Sequence, residues 1–272
     1  MGYREAFNFP SSAVKCQMPR VVIVRGKNPY RMVQKGLAYF EKPSQKKIVL
    51  KPNLINSQPP PTTTPCETIE ALVKHYHKDY EVVIAEGSGW SDTFHAYETL
   101  GYRKIAEKYG VKLVDLNNDD YEMRKEPNAL SLKEFKFPLT LKNSYIISVP
   151  VIKEHFSTTV TISLKNMLGA TLGKKWRFHA RLNESIVDIN LYLKPNLTVV
   201  DGRIAGLGGE LRASPKTLGL MMFSEDLVAA DAIGAGYLNK NPLLIKHLQL
   251  AQEKGLGIAD PKKIEVVEVR EK

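Results

Sequence analysis

Five short runs rich in Val and Ile are spaced along the first 150 residues, and each gap between them holds an amphipathic or polar stretch. Arg20-Val-Val-Ile-Val-Arg25, Lys47-Ile-Val-Leu50, Glu81-Val-Val-Ile-Ala85, Val111-Lys-Leu-Val-Asp115 and Tyr145-Ile-Ile-Ser-Val149 read as buried strands. Between the first two, Met32, Val33, Leu37 and Phe40 recur at helical spacing. After the second, Thr64-Pro65-Cys66-Glu67 reads as a helix start over Pro65 to His77, with Thr64 as the capping residue, Pro in the first turn and Glu three on. Alternating strand and helix with short joints predicts an α/β fold, a mostly parallel sheet with helices on both faces.

The second half extends the pattern. Asn117 to Pro138 is polar and reads as a small antiparallel excursion. Thr158 to Leu168 fits a strand through Val160, Ile162 and Leu164 and a helix through Val160, Leu164, Met167 and Leu168; the helix is preferred. A helix with the stripe Leu182, Ile186, Ile189, Leu193 follows. Then come the strand Leu197 to Val200, a loop carrying Gly202, Gly206, Gly208 and Gly209, the strand Leu218 to Phe223, helices near Asp226 to Leu238 and Asn241 to Glu253, and a last strand from Lys263 to Val269. Residues 1–18 read as an N-terminal extension and 19–272 as a single α/β domain; a bilobed variant would divide near 140–196.

In open α/β sheets ligands bind beyond the carboxyl ends of the strands, which ranks residues without any motif. Lys51 and Asn53, Glu86 to Ser88, Lys153 and His155, Asp201 and Arg203 all fall there. Glu86-Gly-Ser-Gly89 could cradle a phosphate, with Ser88 a substrate contact, but Asp92 stands where the dinucleotide fingerprint needs Gly. Gly169 to Lys174 fails the P-loop pattern, since Lys175 follows in place of Ser or Thr. A Lys153 ammonium two residues from the His155 imidazole could bind a dianion or favour neutral, basic imidazole. On the helix expected after it, Thr158, Thr161 and Lys165 share a stripe, with Asn166 beside it. Asp231 falls among Leu227, Ala235 and Leu238, so it is expected to be buried and paired with a cation, a backbone amide or a metal. Asp226 reads as a helix cap.

Charge indicates the kind of ligand. Lys and Arg number 39 against 29 Asp and Glu, a net charge of +10, which favours anions. The stretch from Lys142 to Arg181 holds seven basic residues against Glu154 alone. No RNP, helix-turn-helix or zinc pattern accompanies the charge, which disfavours nucleic acid. The apolar runs are far shorter than the ~20 residues of a bilayer span, so no membrane insertion is expected. The first 18 residues do not read as a signal peptide, which makes the cytoplasm the expected compartment. Cys16 and Cys66 stand 50 positions apart and cannot supply the four thiolates of an ordinary cluster, so no intrinsic iron–sulfur cluster is expected.

Several of these segments together resemble a prokaryotic family known as domain of unknown function 362. They are Lys51-Pro-Asn53 with Thr63-Thr-Pro65, Val149-Pro-Val-Ile-Lys153-Glu-His155, Thr161-Ile-Ser-Leu-Lys165-Asn166-Met-Leu-Gly169, Val199-Val-Asp201-Gly202 and Val228-Ala-Ala-Asp231-Ala232. Some members of that family carry a ferredoxin-type module whose cysteines this chain lacks. The resemblance implies a fold and a set of positions rather than a reaction. The expected site is a basic cleft of Lys51, Asn53, Lys153, His155, Lys165, Asn166 and His179, belonging to an enzyme acting on a carboxylate- or phosphate-bearing small molecule. Lys153, His155 and Lys165 are its expected catalytic residues, with His155 transferring protons and Asp201 or Asp231 orienting a partner or holding Mg²⁺. The alternative is an accessory protein whose basic face docks an acidic partner such as a ferredoxin or an iron–sulfur assembly protein.

Overall fold

The computed structural model describes residues 18–272. The expected N-terminal extension, Met18 excepted, and Cys16 lie outside the described residues.

The chain runs β1 (Arg20–Arg25), α1 (Pro29–Leu37), β2 (Lys47–Pro52), α2 (Cys66–Tyr76), β3 (Glu81–Glu86), α3 (Thr93–Thr99), α4 (Tyr102–Tyr109) and β4 (Lys112–Asp115). An antiparallel hairpin, β5 (Tyr121–Lys125) and β6 (Glu134–Pro138), leads to β7 (Ser144–Val149), β8 (Val151–His155) and β9 (Thr159–Thr161). A single helical turn, α5 (Ser163–Asn166), precedes α6 (Leu182–Leu193), β10 (Leu197–Leu207), β11 (Ser214–Ser224), α7 (Leu227–Tyr237), α8 (Lys246–Glu253) and β12 (Glu265–Arg270).

The main sheet has the order β12-β1-β11-β10-β7-β2-β3-β4, and of these strands β11 alone runs against its neighbours. It is an α/β fold with a mostly parallel sheet. Alternate residues feed two cores. Val21, Ile23, Val49 and Ile146 pack with residues of α6, α7 and α8, whereas Val22, Val24, Ile48 and Ile147 pack with residues of α1, α2, α3 and α4. Burial on both faces is why the strands read as unbroken apolar runs rather than alternating ones.

The path of the chain creates a crevice. From β2 it steps outward to β3 and β4, then returns through the hairpin to lay β7 on the other side of β2. The two directions diverge between β7 and β2, the kind of switch point where parallel sheets leave room for a ligand.

Three local expectations are corrected. Thr158 to Leu168 is not one helix: Thr159–Thr161 pairs back on β8, and helical geometry starts only at Ser163. Alternating Val160, Ile162 and Leu164 therefore won at the start of the segment. Thr159 sits at φ 67°, a region a β-branched residue occupies only when its surroundings hold it there. Gly202 and Gly206 lie inside β10 rather than in a loop, because β11 pairs alongside through a bulge between Gly202 and Ile204. Thr64 does not cap α2; its Oγ1 accepts from Asn53 N (2.8 Å) and donates to Val149 O (2.6 Å), lacing the loop after β2 to β7.

Candidate functional site

Lys51, Asn53, His155, Lys165, Asn166 and His179 line one cavity of about 300 Å³ at the carboxyl ends of β2, β3 and β8. Its charged lining is four lysines (Lys51, Lys165, Lys174, Lys175) and two glutamates (Glu86, Glu210). A pocket of this size suits a small ligand. An ammonium has three N–H donors and no acceptor, so its bonding state can be counted. That count separates the lysines.

Lys51 is 1% exposed and spent. Its Nζ donates to Glu86 Oε2 (2.8 Å), Pro52 O (2.8 Å) and Asn166 Oδ1 (3.1 Å). Glu86 is equally tied down, accepting from Leu54 N through Oε2 (2.9 Å) and from Gly87 N through Oε1 (2.8 Å). Asn166 completes the knot by donating to Lys51 O (3.1 Å) and Ser148 Oγ (3.0 Å). A dry ion pair survives only with its remaining donors and acceptors satisfied in this way.

Lys153 is fully buried and also spent. It donates to Asn53 Oδ1 (3.1 Å), Thr62 O (2.7 Å) and Glu210 O (3.2 Å), joining β8 to the loop after β2 and the loop after β10. Burial, then repulsion from Lys165, pushes its pKa down to about 7, with Glu210 pulling the other way. Lys153 sits behind Asn53 and does not line the cavity itself.

Lys165 differs from both. It is 8% exposed and lines the cavity, yet its ammonium has no hydrogen-bond or ion-pair partner among the described residues. Burial lowers its pKa to about 8 against the pull of Glu210. Two other groups on the cavity wall are buried without a partner among the described residues, Thr161 Oγ1 and Glu210 Oε2. Unpaired buried polar atoms are costly, and here two of them line the same space as the partnerless Lys165 ammonium.

His155 is set by its backbone surroundings. Its Nδ1 accepts from Ser157 N (3.1 Å) and Thr158 N (3.2 Å), which puts the ring proton on Nε2, 3.7 Å from Glu210 Oε1. Burial first, then Lys165 and Lys153, lowers its pKa to about 3. The resting imidazole is neutral, with an Nε2–H donor.

The rim is basic and aromatic. Lys175 donates to Asn117 Oδ1 (2.8 Å) and Thr171 O, and burial brings its pKa down to about 7. Lys174 and His179 are exposed, as are Trp90 and Trp176, the two tryptophans of the chain.

The family description "Domain of unknown function (DUF362)" matches residues 48–236, more than two thirds of the chain. The chain belongs to the DUF362 family. The matched span carries all of the cavity's lysines together with Glu86, His155 and Glu210. This DUF362 chain is also 24% identical over 235 residues to the thylakoid-associated protein sll1697 of Synechocystis, an alignment covering 82% of the chain and 72% of that relative.

Other expected site residues of the DUF362 chain are engaged elsewhere. Asp201 is bound by Arg203, whose Nη2 lies 2.8 Å from Oδ2, and by the Thr68 hydroxyl; it does not line the cavity. Asp231 is fully buried, as its apolar neighbours predicted, and accepts from Ser163 N (2.7 Å) and Leu164 N (3.1 Å). It holds the first amides of α5 and thereby the start of the turn carrying Lys165. Burial raises its pKa to about 7, opposed by those amides. Both aspartates, expected to orient a partner or hold a metal, are engaged by these bonds; no group of three or more His, Cys, Asp or Glu that could hold a metal ion occurs among the described residues. Ser88 turns away to bond Ile55 O (3.1 Å) and Ser91 Oγ (2.9 Å), while Gly87 and Gly89 line the cavity. Asp226 caps α7 through Ala229 N (2.8 Å) as expected. No helix among the described residues is long and apolar enough to cross a membrane.

Glu210 and the two tryptophans were not singled out by sequence. The only hint of Glu210 is its place after Gly208-Gly209, where both glycines take positive φ and turn the chain back over β8.

Proposed function

We propose that this protein is an enzyme acting on a small anionic molecule, a carboxylate or a phosphate, bound in the Lys165 cavity. The observation that carries this reading is the unspent ammonium of Lys165, nine-tenths buried inside a space of ligand size. Lys51, paired with Glu86, and Lys153, ringed by three oxygens, fix the wall behind it, while Lys165 makes the direct contact. His155 serves as a hydrogen-bond donor through Nε2 rather than as the proton carrier, because adding a proton at Nδ1 would break two backbone bonds. Electrostatic preorganisation of this kind suits a reaction that builds negative charge on the substrate.

The test is unbiased mass spectrometry of metabolites retained by the natively purified protein. A carboxylate or phosphate present on the wild type and missing from folded Lys165→Met supports the reading. Absence of any retained anion, with equal phosphate and citrate binding by both proteins, rejects it. Docking of an acidic protein such as a ferredoxin is the second reading, favoured by exposed Trp90, Trp176 and Lys174 around the rim. In that case Trp176→Ala would weaken ferredoxin binding while leaving small-anion binding untouched.

A further inference from the structure

A buried lysine left without partners keeps its nitrogen available to a ligand, as a donor to an anion when protonated and as a lone pair when neutral. Lys51 and Lys153 show how this fold fixes such a charge, with three oxygens around each Nζ. Lys165 lacks that restraint and shares its cavity with a carboxylate oxygen, Glu210 Oε2, and a hydroxyl, Thr161 Oγ1, that are equally unpaired among the described residues. A partnerless lysine, nine-tenths buried and sharing its cavity with a carboxylate, is equipped as a nucleophile.

We propose that Lys165 Nζ forms an imine with the carbonyl carbon of a small oxo acid bound in this cavity, with Glu210 carrying the protons. The proposal rests on the anion-site reading, since the carboxylate of the oxo acid is what the basic floor and the His155 Nε2–H would hold. The neutral Nζ lone pair forms the C–N bond as the carbonyl π pair moves to oxygen. Glu210 passes one proton from nitrogen to that oxygen, giving a neutral carbinolamine. A second proton, again moved from nitrogen to the hydroxyl through Glu210, lets the C–O bond break. Water leaves and the imine remains, with Glu210 back as carboxylate and no electrons gained or lost overall. The lowered pKa of Lys165, about 8, makes the neutral amine accessible near neutral pH.

The full chain is incubated with glyoxylate and sodium cyanoborohydride, and modified lysines are mapped by peptide mass spectrometry. Glycolate, which has the carboxylate without the carbonyl, serves as competitor. The reduced adduct is expected on Lys165 well before exposed Lys174, suppressed by glycolate and slowed several-fold in Glu210→Gln. Lys165→Arg, which keeps the charge but cannot form an imine, should lose this adduct alone. The mapping in the wild type stands even if a variant fails to fold. Labelling of Lys165 no faster than Lys174 overturns the imine. In that event, glycolate protection of Lys165 against acetylation would leave the anion site standing, and no protection would overturn both.

Discussion

Replacing Glu86 by Gln keeps the shape of the side chain and removes the charge that Lys51 lies against. The pair is 2.8 Å apart, with the two side chains 1% and 2% exposed, so water cannot take the place of the carboxylate. The amide oxygen introduced by Glu86→Gln could still accept from Leu54 N and Lys51 Nζ, but Lys51 would be a buried cation without its counter-charge. Breaking a buried pair from one side costs about 3–5 kcal/mol. At ~2–4 °C per kcal/mol for a chain of this size, the melting midpoint should fall by roughly 6–20 °C. Burial already drives the Lys51 pKa down and Glu86 opposes that, so in the variant Lys51 gives up its proton more easily and the deficit narrows as pH rises. Urea unfolding at pH 7 and pH 9 measures both effects. Lys51→Met combined with Glu86→Gln should be less destabilised than Glu86→Gln alone. A Glu86→Gln protein within about 0.5 kcal/mol of wild type, the usual range for a harmless surface change, would refute this account of what holds the cavity floor.

Other outcomes follow from the same geometry. Asp231→Asn loses one of two backbone acceptors and points an N–H at another N–H, which should cost about 1–3 kcal/mol in urea unfolding while anion binding by the folded fraction is kept. Gly169→Ala drives a Cβ into Glu86 Oε1 and should lower the melting midpoint, whereas Gly110→Ala, with open space around it, should not disturb the cavity despite its strained φ. Anion affinity measured by calorimetry should fall as pH rises through about 8, since Lys165, facing Glu210, Lys153, His155 and buried His247, loses its charge there. Lys165→Arg should lack that part of the decline.

The parallel ladder was legible because strands buried on both faces have little choice of sequence. The same ladder located much of the site: Lys51 and His155 lie at strand ends and Asn53 just past one, and Lys165, Asn166 and His179 join them in one cavity. What sequence could not give was which lysine is free. Lys153 is saturated by Thr62 O and Glu210 O, carbonyls that any residue could supply and that only the folded loops bring near. Asp231 was legible as a buried carboxylate, but its partners are backbone amides and leave no trace in residue types. The segment from Thr158 misled because one apolar pattern served a strand and a helical turn in succession, with the change fixed by pairing to β8.

In the proposed site Lys165 presents an unspent cation to an anion in this cavity. Crystals soaked in selenate, a tetrahedral anion with an anomalous signal, test it directly. An anomalous peak is expected inside the cavity within hydrogen-bond reach of Lys165 Nζ, and none there in Lys165→Met. Selenate occupying surface lysines while the wild-type cavity stays empty would contradict it.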